Sequence, residues 1–155
     1  MKTPLLALTA LLMAAGASHA AHISVKGRCT LARAIVAANN DASRFCTPGR
    51  GPDSISLPVR SSLVLTQINN TTLARPMGLP VIRSAMGING NESSIRRVIN
   101  APRFGIFGVS KAGRLTLNNV RVSGAIGGWL SQSIKYVQEY LDADPNCAIL
   151  HTQRV

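Results

Sequence analysis

Apolar positions along this chain fall into two rhythms. Leu31, Ala34, Ile35 and Ala38 sit at i, i+3, i+4 and i+7, which puts one apolar stripe on a helix over about 30–40. Thr30 is placed to cap its start, and Asn39-Asn40-Asp41 ends it. A helix of this length is marginal alone, so its stripe must pack on something. Beyond the turn run Thr47-Pro48-Gly49-Arg50-Gly51-Pro52-Asp53 the period changes to two. Brief apolar alternations follow at Ile55 and Leu57, Leu63 and Leu65, Val81 and Ile82, Met86 and Ile88, and Ile95 and Val98. They continue at Ile106, Phe107 and Val109, Leu115 and Leu117, and Val120 and Val122. Gly, Asn, Ser or Pro separates neighbours, so each reads as a short strand. No helical pattern alternates with them, which argues against a doubly wound α/β fold and predicts an all-β chain.

Two of these units are alike. Met86-Gly87-Ile88-Asn89-Gly90-Asn91 and Leu115-Thr116-Leu117-Asn118-Asn119 lie about 29 positions apart, within the range of solenoid repeats. In a parallel β-solenoid, branched residues face inward and Asn can stack over Asn at the turns. The predicted core is Ile55, Leu57, Leu63, Leu65, Val81, Ile82, Ile88, Ile106, Phe107, Leu115, Leu117, Val120 and Val122. A β-sandwich is the structural alternative.

The first twenty residues carry Lys2, an apolar centre from Leu5 to Ala15, Gly16, and Ser18-His19-Ala20, the pattern of a secretory leader cut after Ala20. Its apolar run is short for a span of about 30 Å of hydrocarbon, and no later stretch is long and apolar enough. The expected organisation is therefore a signal peptide at 1–20, an N-terminal cap at 21–53, strand coils at 54–124 and a divergent tail at 125–155. The mature chain is exported, secreted or held in the cell envelope, where disulfides persist. There Cys29 and Cys46 bracket the helix and are expected to bridge, while Cys147 is left free or available for an intermolecular bond.

Composition changes the picture in two ways. Aromatics make up 4% of the chain, so Val, Ile, Leu and Ala must build the core. Seventeen Lys and Arg face six carboxylates, and ahead of the tail the mature chain holds Asp41, Asp53 and Glu92 alone as acids. Attraction to an anionic polysaccharide or envelope component is one reading; a solvated Arg-rich surface is the other and the favoured one. No dense basic run and no interleaved aromatics mark a specific nucleic-acid binder.

The run Cys29-Thr30-Leu31-Ala32-Arg33-Ala34-Ile35, a second Cys, Gly49-Arg50-Gly51-Pro52-Asp53 and Ser54-Ile55-Ser56-Leu57-Pro58 resembles the opening of secreted bacterial proteins named for a C-S-L-R-E-A motif. Gly78-Leu79-Pro80-Val81-Ile82, Met86-Gly87-Ile88-Asn89-Gly90 and Arg103-Phe104-Gly105-Ile106-Phe107 are similar to it as well, as is Leu115-Thr116-Leu117-Asn118-Asn119-Val120. The resemblance covers Ile23 to Gly124. It implies a right-handed parallel β-helix of the pectin-lyase-like type, with the helix capping the first coil through Leu31, Ala34, Ile35 and Ala38. It says little about activity.

Two departures carry physical content. Where the family has Arg-Glu, this chain has Ala32-Arg33, so the third helical position lacks the Glu of a capping box and sets a cation at the positive helix end. An expected cost of about 0.5–1.5 kcal/mol follows, with Arg33→Glu stabilising. The resemblance also stops near Gly124. Trp129, Tyr136, Tyr140, Glu139, Asp142, Asp144 and Cys147 crowd the end. Leu130, Ile134, Val137 and Leu141 form a helical stripe, so this tail is either a helical cap or irregular sequence from a truncated, shifted frame.

Candidate chemistry is sparse. Glycosidases generally need two placed carboxylates and a calcium-dependent lyase needs a cluster, and neither pattern occurs. His22 and His151 lie near the mature ends, Asp53 reads as a turn residue, and no G-x-S-x-G elbow is present. Asn69, Asn70 and Asn91 begin glycosylation sequons. No catalytic residues, metal ligands or cofactor are assigned. The expected function is a non-catalytic exported module; a degenerate polysaccharide lyase or hydrolase and a basic envelope protein binding anionic polymer are the alternatives.

Overall fold

The computed structural model describes residues 20–125 except Ala74, together with the backbone of Ile134–Val137. The expectations for the leader at 1–19, for Trp129, Leu130 and Leu141, and for Cys147 and His151 lie outside the described residues.

The chain opens with a strand the apolar rhythm did not reveal. β1 (His22–Ser24) is three residues long and precedes α1 (Leu31–Asn40). It pairs parallel with β2 (Asp53–Ser56), Ile23 lying against Ile55. His22, expected near a frayed end, is a strand residue with an exposed side chain. β3 (Ser62–Leu65) and β2 both pair with the thirteen-residue β4 (Ala85–Arg97), β2 along its first half and β3 along its second. β5 (Arg114–Ser123) lies along the whole of β4, and β6 (Ile134–Val137) pairs with the start of β5. Every strand pair is parallel.

The right-handed parallel β-helix is not what the described residues form. Their strands make a single six-stranded sheet, ordered β1-β2-β4-β5-β6 with β3 beside β4, and one short helix. Val81–Ile82 and Ile106–Val109, expected as strands, are not. They meet at the isolated bridge Ile82↔Val109, with a second bridge, Met77↔Gly105, just ahead of both, so the linking segments add no further sheet. Pro80 has no N–H to give a ladder, and Gly105 and Gly108 weaken extended backbone around Phe107. The sandwich alternative fails too, because hairpin-built sandwiches need antiparallel pairs.

Met86–Ile88 and Ile95 fall on one strand, β4. It bends at Asn91 and Glu92, which have φ of 48° and 64°, and the register with β5 shifts between Asn89 and Ser93. Gly90 permits this bend, since a Cβ there would strike the Asn119 carbonyl and Val120. The similar units are in register, Ile88 against Leu117 and Asn89 against Asn118. Asn91 does not stack on an Asn: its Nδ2 donates to Leu57 O at 2.7 Å, tying the bend to the end of β2.

The helical stripe expected through Ile134 and Val137 is corrected over those residues, which are strand β6 in register with Leu115–Asn118. A parallel edge offers β6 ready partners for its backbone groups, and that outweighs the local period.

Ile55, Leu57, Val81, Ile82, Ile88, Ile106, Phe107, Leu115 and Leu117 are buried, and Leu63, Leu65, Val120 and Val122 pack half-buried against them. Leu31, Ala34, Ile35 and Ala38 of α1 join the same core together with Ile23, Ala37, Leu79, Met86, Ile95 and Val109. Alanines on the helix bring its backbone close to the sheet, so α1 lies over the β1 end. Asn39 fastens its last turn. Its Nδ2 donates to Val81 O at 2.7 Å, and its Oδ1 accepts from Arg83 N at 2.8 Å and Ser84 N at 3.3 Å.

Candidate functional site

Alternation along β3, β4 and β5 settles which side chains face outward. In β4, Ser93, Ile95 and Arg97 are buried, so Ser94 and Arg96 turn to the other side, where Arg96 is exposed. The register carries that face across three strands: Ser62, Ser94 and Arg121 form one row, and Val64, Arg96 and Ser123 the next. Arg96 and Arg121 are diagonal neighbours. With strands about 4.8 Å apart and a two-residue rise of about 6.6 Å, their Cα atoms stand about 8 Å apart. Ser94 Oγ donates to Ser62 Oγ at 3.2 Å, which orients the hydroxyls along the row. No carboxylate occupies these register positions. Glu92, the nearest acid in the strand, pairs with Arg60 at 2.6 Å. Its hydrogen bond first, and then its charge, raise the Arg60 guanidinium above the ordinary value.

Arg28, Arg33 and Arg97 do different work. Arg28 and Arg33 each set a guanidinium over the Phe45 ring, 4.4 and 4.3 Å from its centroid. Arg33 Nη1 also donates to Arg28 O at 2.7 Å, while Thr30 Oγ1 accepts from Arg33 N at 3.4 Å as the helix cap. The cost expected of Arg33 is therefore offset. The missing capping-box bond and dipole term are worth about 0.5–1.5 kcal/mol, and the carbonyl bond and ring contact return a similar amount. Cys29 and Cys46 form a disulfide that closes this same corner, Cα to Cα 5.0 Å.

Arg97 corrects the reading of the cations as a solvated surface. Its side chain is buried, and its guanidinium donates to Gly124 O at 2.7 Å, Ala101 O at 2.8 Å and Val98 O at 3.0 Å. It holds the 98–102 loop and the end of β5 together.

Asp53 corrects a second expectation. It is the first residue of β2 and is 3% exposed. Its Oδ1 accepts from Arg50 N at 2.7 Å and from Ala21 N at 3.2 Å. Its Oδ2 is buried without a hydrogen-bond partner, packed where a Cβ on Gly49 would come within 2.5 Å. That approach explains the glycine in the turn. Among the described residues Asp53 has no ion pair with a side chain.

Of the remaining described carboxylates, Asp41 caps α1 in a left-handed conformation and Glu92 is paired, so no two stand together. Among the described residues no three His, Cys, Asp or Glu converge as a metal site, and no helix is long and apolar enough to cross a membrane. No family model, curated protein or solved structure matches the chain.

Sequence reasoning missed Asp53, Arg97, Asn39 and the Arg96–Arg121 face. For the face a signal existed: Ser94-Ile95-Arg96 and Arg121-Val122-Ser123 alternate polar and branched residues with opposite polar order.

Proposed function

We propose that this chain is an exported, non-catalytic module that binds anionic polymers on the outer face of β3, β4 and β5. The observation that carries it is the diagonal of Arg96 and Arg121 among the hydroxyls of Ser62, Ser94 and Ser123 on one face of three paired strands. Guanidinium forks match carboxylate and sulfate oxygens in geometry, and paired strands repeat their donors at spacings a linear polymer can follow. The excess of seventeen cations over six acids supports it by drawing anions to the molecule. The leader pattern and the resemblance to secreted bacterial proteins support export.

Binding to heparin and polygalacturonate, with dextran as the uncharged control, tests the reading. Arg96→Ala with Arg121→Ala should weaken binding about tenfold, equivalent to roughly 1.4 kcal/mol. Binding unaffected by the pair removes the face from the account. Unsaturated products from polygalacturonate would reject the non-catalytic part.

A further inference from the structure

Among the described residues the least satisfied group is the Asp53 carboxylate. Its Oδ2 is buried and unpartnered, and Oδ1 is served by two backbone amides. Burying a carboxylate without a counter-charge is costly. One of those amides belongs to Ala21, the residue that follows the expected leader cut. Ala20 is exposed and Ala21 half-buried, so the bond between them lies at the surface. Ala21 itself is fixed, because its carbonyl accepts from Ser54 N at 2.8 Å.

We propose that Asp53 is the receptor for the processed N-terminus. A leader peptidase hydrolyses the Ala20–Ala21 peptide bond with one water. The water oxygen adds to the Ala20 carbonyl carbon, the C–N bond breaks, and the products are the Ala20 carboxylate and the Ala21 ammonium. The nitrogen that stood 3.2 Å from Asp53 Oδ1 as a neutral amide then carries a full positive charge and three protons. Cleavage thereby supplies the missing counter-charge and locks β1 onto β2. Before cleavage the same pocket holds an uncompensated carboxylate, so the precursor is the less stable form. The groups facing Asp53 are the Ala21 nitrogen, the Arg50 amide and the Gly49 backbone; no charged side chain competes among the described residues.

This inference rests on the export reading, and the experiment separates the two. Intact mass of the protein recovered outside the cytoplasm reads the cut: any first residue other than Ala21 overturns the maturation step. Independently, mature chains made to begin at Ala21, or at a Gly placed before Ala21, are melted at pH 6 with and without Asp53→Asn. The Ala21 chain should melt at least about 4 °C higher, and the difference should vanish in Asp53→Asn. Equal melting of the parent pair, or a difference that survives Asp53→Asn, overturns the pairing. Should Asp53→Asn fail to fold, titration of an isotope-labelled Ala21 amine decides. Its midpoint should lie at least one unit above the roughly 7.7–8.0 of a free α-amine, and an ordinary midpoint overturns the proposal.

Discussion

A guanidinium sealed from water needs its protons taken up, and Arg97 gives them to carbonyls from two separate stretches, the 98–102 loop and Gly124. Hydrogen bonds from a charged donor are worth about 1.5–3 kcal/mol each, and orphaned carbonyls add to the loss when the donor goes. Arg97→Met keeps most of the packing and removes the donors, so it should cost about 3 kcal/mol in urea denaturation. Arg97→Lys should recover little, because a single ammonium does not span the same fork. A loss below about 0.5 kcal/mol in Arg97→Met would remove this residue from the structural account. Nothing in the sequence distinguished Arg97 from its neighbour Arg96; alternation on β4 separates them, one inward and one outward. Asp53 was misread for a related reason. A Gly/Pro run around an Asp signals a turn, but burial of the carboxylate depends on Ala21 and β1 lying alongside β2, a pairing between residues 32 apart.

At the scale of elements, α1 was legible because everything needed to specify it is local: a cap, one stripe and an end signal. Its partner surface was less so. Asn39, read only as part of a helix stop, contributes four hydrogen bonds that join the helix end to the segment leading into β4. Asn39→Ala leaves Val81 O and Arg83 N to find water in a half-buried site, and should cost about 2 kcal/mol. Asn39→Asp keeps the accepted bonds and loses the donated one, so its cost should fall between wild type and Asn39→Ala. If the two variants melt together, the bonds accepted from Arg83 N and Ser84 N are idle. The strands divide in the same way. β2, β4 and β5 carry branched residues at period two and could be read. β1 is three residues long and too brief for any period, and Val81–Ile82 carries the pattern of a strand without the neighbours to make one.

Across the whole molecule, parallel pairing explains why short apolar runs suffice. Each strand is separated from its partner by a long connection, so register is set by which side chains must face the core. That rule specified a parallel arrangement of buried branched residues and left open how many sheets the connections would add. The answer is none among the described residues. The sheet's two ends are unequal. At β1, α1 and the Cys29–Cys46 bridge cover the core. At the other end, among the described residues, β6 alone occupies the edge of β5, along Leu115–Asn118. An uncovered parallel edge with Leu115 and Leu117 beneath it is a template for another chain. A chain ending at Gly124 keeps α1 and β1–β5 but exposes that edge, so it should associate with rising concentration in light scattering while the longer chain does not. A Lys placed at Thr116, on the half-buried side of the bare edge, should suppress the association by setting a charge where a second strand must dock. Monomeric behaviour of the shortened chain at all concentrations means that β6 does not protect the sheet.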